Sequence, residues 1–339
     1  MKRILIPVVC ACILIACTPS EDVENEEQRV ENETEPVETL TASKDDIRFV
    51  VGWVNETAIL FVDHKDAEDR LQSFDLKTGD IHTLFTSTAT ISEVQVHPIA
   101  SQLLVKTADD STEAIIHILD HAGTLLNEVL VESSELEIQW NDTDASQLLI
   151  TAFSEDWSYE IMHYDANDDT LAAVELSDPF PRWLGAEELV YMEDIDVVKQ
   201  SLFTGEKTTL ANNANQFHSA ADQVLIESFE DEQIRYAVLN TTGEEKYSWF
   251  VEDRSFVMEQ AVFSGEDTLM MTVTDQTEMR PTSYLVKIQD GQEVKRQKLP
   301  EGGSLDCKGD KCLIGYSLDT WINIETGETV KWLDMEPLE

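Results

Sequence analysis

Basic residues are scarce in this 339-residue sequence. It has 23 Lys and Arg against 68 Asp and Glu, a formal net charge of −45. A negative field of this size repels phosphate backbones, so it excludes nucleic acid as a partner. Because the acids are spread along the whole chain, we interpret them as a solubility adaptation to an alkaline or salty exterior. Loose collection of Ca²⁺ and attraction of a cationic partner are the alternatives.

The apolar run near the N-terminus is also short. The run from Ile4 to Ile15 has about a dozen residues, whereas a membrane-spanning helix needs about 20. It follows the positively charged start Met1-Lys2-Arg3. A short basic segment before a short apolar segment predicts a secretory signal rather than a transmembrane helix.

Cysteine is rare, with five in the chain, and Cys17 follows Leu14-Ile15-Ala16. A large aliphatic residue at −3 and a small residue at −1 resemble the bacterial lipoprotein signal, in which the cysteine is lipidated and the chain is cut before it. We therefore predict a signal peptide at residues 1–16, lipidation (diacylglyceryl and palmitate) at Cys17, and a location on the outer, extracytoplasmic face of the cell membrane. Two acyl chains are needed because one gives only marginal membrane binding. An ordinary cleaved signal with a stray cysteine is the alternative.

Aromatic residues are absent from residues 18–46, which are rich in glutamate and carry only Arg29 and Lys44 as opposing charges. High charge with low hydrophobicity is typical of disorder. Residues 17–46 are therefore predicted to be an acidic disordered tether, and residues 47–339 the folded domain.

Long helical periodicity is missing beyond residue 46, where apolar residues alternate with a period of two. Turn phrases recur every 40 to 45 residues or so, such as Phe74-Asp75-Leu76-Lys77-Thr78-Gly79 and Ile118-Leu119-Asp120-His121-Ala122-Gly123. This pattern predicts an all-β fold, a β-propeller of four-stranded antiparallel blades. The units are 47–90, 91–136, 137–180, 181–215, 216–256, 257–303 and 304–334. They make seven blades; six blades with one unit split across the ring closure, and a generic sandwich, are the alternatives.

Only two cysteines lie beyond residue 17, Cys307 and Cys312, on either side of a hairpin turn. In an exported protein this arrangement predicts a disulfide across the hairpin. Free thiols or a metal site are the alternatives, but a metal site needs more ligands than are nearby.

Catalytic motifs are absent: the sequence has no Gly-x-Ser-x-Gly, no His-Glu-x-x-His and no glycine-rich phosphate loop. We therefore predict no catalytic residues, no metal ligands and no cofactor. Asp142-Thr143-Asp144 and Asn167-Asp168-Asp169 have the oxygen ligands that Ca²⁺ prefers, but acidic turns are usually only turns. Glu155, Asp156 and Trp157 are the candidate ligand-binding residues, since two carboxylates beside an aromatic ring are typical of sugar-binding sites. A tryptophan placed on a blade strand would instead belong to the core.

Several stretches resemble the YqgU-like lipoproteins, notably the residues from Asn141 to Tyr159, Pro179-Phe180-Pro181-Arg182-Trp183 and Cys312-Leu313-Ile314-Gly315-Tyr316. The resemblance spans most of residues 47–333. It implies a lipid-anchored surface protein with a six-bladed propeller, which differs from the seven units counted above. It implies no activity and no catalytic residues.

The combined expectation is a non-catalytic, lipid-anchored binding or scaffold module at the cell surface, present as a monomer. Its partners would be the membrane, through the anchor, and an envelope protein or glycan. The alternative is a propeller-type hydrolase, glycan-active or metal-dependent, that uses the central channel. A two-lobed solute-binding lipoprotein is the third hypothesis, and it is disfavoured because the sequence lacks βα alternation.

Overall fold

The period-two pattern is realised as thirty strands and no helix within the residues that this computed structural model describes, which are 37–109, 112–133, 135–253, 255–277, 279 and 281–336. Twenty-eight of these strands form seven four-stranded sheets, and the other two form a separate pair. In each four-stranded sheet the strands follow one another in chain order and all neighbours are antiparallel. This is the seven-bladed β-propeller that the sequence predicts.

The strands of the first four blades are as follows. Blade 1 contains β2 (Ile47–Trp53), β3 (Ala58–Lys65), β4 (Glu68–Asp75) and β5 (Ile81–Ser87). Blade 2 contains β6 (Thr90–Val96), β7 (Gln102–Ala108), β8 (Ala114–Asp120) and β9 (Leu125–Val131). Blade 3 contains β10 (Leu136–Trp140), β11 (Gln147–Phe153), β12 (Tyr159–Asp165) and β13 (Thr170–Val174). Blade 4 contains β14 (Arg182–Leu184), β15 (Glu188–Glu193), β16 (Asp196–Ser201) and β17 (Lys207–Ala211).

The remaining three blades complete the ring. Blade 5 contains β18 (Ala214–Ala220), β19 (Gln223–Glu230), β20 (Gln233–Asn240) and β21 (Glu245–Val251). Blade 6 contains β22 (Phe256–Phe263), β23 (Thr268–Asp275), β24 (Thr282–Gln289) and β25 (Gln292–Lys298). Blade 7 contains β26 (Ser304–Lys308), β27 (Lys311–Gly315), β28 (Thr320–Asn323) and β29 (Thr329–Lys331). Blade 4 begins with a three-residue strand and blade 7 ends with one. These two blades correspond to units 181–215 and 304–334, the two shortest units of the sequence.

The core consists of separate apolar clusters between adjacent blades. Each blade–blade junction among the described residues has one, including the junction of blade 7 with blade 1. The second strand of each blade is packed on both faces, so β3 reads Ala-Ile-Leu-Phe-Val without alternation and is buried from Ala58 to Asp63. Burial on both faces is what converts an alternating pattern into a continuous apolar run. A cluster at the 7–1 junction shows that the seven blades close into one ring.

Recurring turns explain the repeated sequence phrase. The carboxylate of Asp75 accepts hydrogen bonds from the backbone N–H groups of Lys77 (2.8 Å) and Thr78 (3.0 Å), and Gly79 follows with φ 74°. An Asp or Asn that caps its own turn, followed by a residue of positive φ, suits the hairpin between the third and fourth strands. The same device recurs at Asp120 with Gly123 and at Asn240 with Gly243.

The ring is fastened by strands from both ends of the described chain. β1 (Leu40–Ser43) pairs in parallel with β30 (Leu333–Glu336), with Leu40 opposite Leu333. The sequence places residues 40–43 in the disordered tether, whereas the structure places them in this pair, because Leu40 and Ala42 pack against the apolar cluster between blades 7 and 1. The signal segment and Cys17 lie outside the described residues.

Candidate functional site

The ends of the innermost strands meet at the ring axis around a cavity of about 800 Å³. All seven blades contribute to its wall, chiefly through the last residues of the first strand and the turn that follows. The lining combines valine, alanine and phenylalanine side chains with a few charged and polar groups. Those that carry the chemistry of the site are His97, Asp142, Arg182, His218 and Asp306.

His97 and Asn141 hold one side of the cavity together. His97 is almost fully buried, its Nε2 lies 2.9 Å from the carbonyl oxygen of Asn141, and its Nδ1 lies 2.9 Å from the backbone nitrogen of Ala100. Because that backbone N–H can only donate, Nδ1 is the acceptor and Nε2 carries the proton. Burial, the largest influence, lowers the pKa of His97. The ring is therefore a neutral link between blades 2 and 3.

Asp142 reaches past blade 4 to blade 5. Its Oδ2 accepts a hydrogen bond from the backbone N–H of Ala221 at 3.0 Å. Burial raises the pKa of the Asp142 carboxyl, against the lowering effects of this bond and of His97. The preceding Asn141 donates to the carbonyl oxygens of Gly185 and Ala186 at 3.2 Å each. The turn of blade 3 thus spans the short blade 4.

Asp306 makes the equivalent link on the other side of the ring. Its Oδ2 accepts from the backbone N–H of Trp53 at 2.6 Å, which joins blade 7 to blade 1. Burial raises its pKa. Gly52 allows this approach, since a Cβ there would lie 2.2 Å from the same oxygen. Neighbouring Cys307 is joined to Cys312 by a disulfide across the hairpin of β26 and β27.

Arg182 and His218 supply further polar surface, beside Lys308, Gln95, Ser219 and Ser264. Arg182 Nη1 donates to Glu137 Oε1 at 2.8 Å, linking blades 4 and 3. His218 Nε2 is buried and has no hydrogen-bond partner within the part of the chain that the structure describes. Burial lowers the pKa of His218, and the positive charge of Arg182 lowers it further. A neutral imidazole with an unused ring nitrogen is a group that a polar ligand would satisfy.

This arrangement is suited to binding. General-base or nucleophilic catalysis requires an acid–base group within hydrogen-bond reach of a nucleophile. His97, Asp142 and Asp306 instead direct their hydrogen bonds to backbone groups of neighbouring turns. The described residues hold no group of three His, Cys, Asp or Glu side chains placed to coordinate a metal ion.

Asp144 and Asp169, from the two acidic turns considered for Ca²⁺, make hydrogen bonds within their own hairpins. Asp144 Oδ1 accepts from the N–H and hydroxyl of Ser146 at 3.0 and 2.7 Å. Asp169 accepts from the hydroxyl of Tyr164 at 3.0 Å. The contact of Asp144 caps its turn, and that of Asp169 joins its turn to strand β12.

The candidate ligand-binding residues predicted from the sequence lie outside the axial cavity. Glu155, Asp156 and Trp157 form the turn between β11 and β12, at the end of blade 3 opposite the turn that holds Asp142. Trp157 is 83% exposed, so the interpretation of it as a core residue is wrong. It stands on a turn and not on a strand, and a turn places its side chain outside the blade-to-blade packing.

The cavity residues were missed because they share no motif. One signal was available: His97, Asp142 and Asp306 all occupy the end of a first strand or the turn after it. That position recurs in the sequence as a strand ending, a polar turn and a new apolar strand. Because this position recurs in the repeating units and the first strands surround the ring axis, charged residues at this position are expected to lie around one axis.

Seven blades around a ligand-sized axial cavity define the class of protein as a β-propeller. The chain belongs to the YqgU-like six-bladed β-propeller family, whose sequence profile matches residues 75–255. That match covers the last strand of blade 1 and all of blades 2 to 5. The complete ring in this chain has seven blades, so the six implied by the resemblance is corrected.

One curated relative is the uncharacterized lipoprotein YqgU of Bacillus subtilis (strain 168), 25% identical over 181 residues that cover 53% of this chain and 50% of the relative. The match thus spans about half the length of that protein. Among solved structures, the uncharacterized protein lmo1340 from Listeria monocytogenes EGD-e has a TM-score of 0.76 and 19% identity, over 88% of this chain and 98% of that one. The β-propeller domain of the trilobed protease from Pyrococcus furiosus has a TM-score of 0.55 and 13% identity, over 86% and 97%. Both structures share the β-propeller fold with this chain.

Within the described residues, helices of the length and apolarity needed to cross a membrane were not found.

Proposed function

We propose that this protein is a lipid-anchored, extracytoplasmic β-propeller that acts as a non-catalytic binding or scaffold module. The observation that carries the proposal is the hydrogen bonding of the axial cavity. Its carboxylates and His97 join different blades through backbone groups, and charged and polar side chains remain among the apolar residues of its wall. A preformed concave site with a few convergent polar groups is the usual form of a ligand site.

The anchor follows from Cys17 and its preceding residues Leu14-Ile15-Ala16, and the lipoprotein name of the Bacillus subtilis relative supports it. The acidic residues between Cys17 and β1, part of the tether predicted at residues 17–46, then link the anchor to the propeller. The proposed partner of the anchored propeller, which acts as a monomer, is an envelope protein or glycan.

The second candidate function is a propeller-type hydrolase, glycan-active or metal-dependent. It is favoured by one observation: two carboxylates and two histidines line the same cavity. A glycosidase needs two carboxyl groups on either side of the scissile bond, and Asp142 and Asp306 are the pair that this cavity offers.

The deciding experiment is a crosslinked pull-down from solubilised membranes with the lipidated protein. We compare the wild type, the double variant Asp142→Asn/Asp306→Asn, a surface control Asp222→Asn and the unlipidated Cys17→Ser. A discrete envelope partner retained by the wild type and Asp222→Asn, and lost by the cavity variant and by Cys17→Ser, supports the binding module. Equal capture by all four forms contradicts it. Turnover of isolated cell-wall glycan that disappears in the double variant identifies the hydrolase.

A further inference from the structure

A second surface lies at the other end of the ring, away from the turns that line the axial cavity. Phe153, Tyr159 and Phe180 lie together there, on blade 3 and its connection to blade 4, and Trp157 stands on the turn between Phe153 and Tyr159. We call these four residues the aromatic platform. The ring centroids of Phe153 and Phe180 are 5.7 Å apart, and those of Phe153 and Tyr159 are 6.3 Å apart. Trp157 is 83% exposed, Phe180 50% and Tyr159 37%. Large apolar rings that are grouped on an exposed surface are uncommon unless that surface contacts a partner or a ligand.

Trp157 is held outward by its turn. Its φ is 65°, a left-handed conformation that disfavours a bulky residue. The turn is closed by a bond from Trp157 N–H to the Ser154 carbonyl oxygen at 2.9 Å. Asp156 Oδ1 accepts from the N–H and hydroxyl of Ser158 at 3.0 and 2.6 Å. Backbone strain maintained by such contacts tends to coincide with functional positions.

Phe180 is fixed by different means. It lies between Pro179 and Pro181, whose rings restrict the backbone of the connection. Its N–H donates to the carboxylate of Asp178 at 2.8 Å. A fixed ring loses little conformational entropy when a ligand stacks on it.

A groove of about 510 Å³ continues from the platform along the outer part of blade 3. Tyr159 stands at its edge and donates its hydroxyl to the carbonyl oxygen of Ser177 at 3.0 Å. Glu160 and Glu175 line the groove together with Lys207, which is paired with Glu193 at 3.0 Å. Glu155 lies on the platform turn. The polar groups beside the rings are therefore mainly carboxylates, which accept hydrogen bonds from hydroxyl groups.

We propose that the aromatic platform and its groove bind a neutral polysaccharide, with sugar rings stacked on Trp157 and Phe180 and sugar hydroxyls donating to Glu155 and Glu160. The net charge of −45 disfavours polyanionic polymers. The exposed ring area is roughly 400 Å², whereas each side of a standard protein–protein interface contributes about 800 Å². A narrow apolar strip bordered by acceptors fits a chain of sugar rings, which have apolar faces and hydroxyl edges. This site is separate from the axial cavity and does not depend on the function proposed for it.

The test uses chitohexaose, a neutral oligosaccharide, with the lipidated full chain in a detergent that has no sugar headgroup. Six of the seven tryptophans are buried or half-buried and Trp157 alone is strongly exposed. Saturable protection of tryptophan fluorescence from acrylamide therefore reports on this indole. Calorimetric titration gives the affinity.

We expect the affinity to fall by about tenfold or more in Trp157→Ala and in Phe180→Ala. Trp157→Phe is expected to retain part of it. The control Phe250→Ala, which removes a half-exposed ring from the outermost strand of blade 5, should bind as the wild type does. Absence of saturable binding, or equal affinity in all variants, overturns the proposal. So does loss of self-association in Trp157→Ala without any effect of the oligosaccharide, because the platform would then be a protein contact.

Discussion

Trp332 closes the junction between blades 7 and 1, and its removal tests how the ring is held together. Its side chain is completely buried. Its ring centroid lies 5.9 Å from that of Phe74 and 6.5 Å from that of Phe61. The indole N–H donates to the carbonyl oxygen of Leu318 at 2.8 Å. One side chain therefore contacts blade 1 and the connection within blade 7, directly before β30.

The expected magnitude follows from these contacts. Replacing a buried tryptophan with alanine costs about 3–5 kcal/mol through lost burial and the cavity left behind. Loss of the indole donor leaves the Leu318 carbonyl unpaired, at about 1 kcal/mol more. We expect Trp332→Ala to lower the free energy of unfolding by about 5 kcal/mol, a large part of the usual 5–15 kcal/mol. Trp332→Phe keeps most of the packing and should lose about 2 kcal/mol.

Guanidinium unfolding of the purified mature protein, followed by near-ultraviolet circular dichroism, measures these differences through the midpoint and slope. Phe250→Ala is the control, since a half-exposed side chain should change stability by less than about 1 kcal/mol. If Trp332→Ala loses less than about 2 kcal/mol, the other blade junctions hold the ring without this one, and Trp332 is not the residue that secures closure.

Three further predictions concern the axial cavity and its surroundings. Reducing the Cys307–Cys312 disulfide should expose two thiols and lower stability by about 2 kcal/mol, because the bridge closes a short loop; two free thiols in protein taken from its native compartment would contradict the pairing. For His97, burial puts the folded-state pKa below the unfolded value of about 6.5, so the unfolded state binds more protons and stability is lost as pH falls below about 6.5. The dependence of unfolding free energy on pH between 7 and 5 should be weaker in His97→Gln; an unchanged slope would show that this residue is not responsible. Gly52→Ala should displace the Asp306 carboxylate and lower stability by about 1–3 kcal/mol, measured by the same unfolding assay, and a neutral result would mean that the Asp306 contact is dispensable.

The fold was accessible from sequence because its determinants are local. Strand periodicity and self-capped turns such as Asp75 to Gly79 depend on residues within a few positions of each other. A unit that cannot bury both of its faces alone must repeat around a ring, so the count of seven followed from the repeats. The family profile matches residues 75–255 and stops before the last two blades, so that match does not decide the number of blades in the complete ring.

The strand Leu40–Ser43 shows where local reasoning failed. Its sequence follows an acidic stretch and has little apolar character of its own. It is ordered because β30, almost three hundred residues later, supplies the backbone partners. Such a pairing depends on closure of the ring, which no local pattern encodes.

The sequence by itself determined the strands, the turns and the number of blades, and the export signal at Leu14-Ile15-Ala16-Cys17 stays a prediction from sequence. Only the tertiary structure brought His97, Asp142 and Asp306 to one axis and grouped Phe153 with Phe180 on the opposite end. The physical reason is that hydrogen-bond ladders and turn caps act between near neighbours, whereas a cavity or a surface is made by residues that the ring brings together from separate blades.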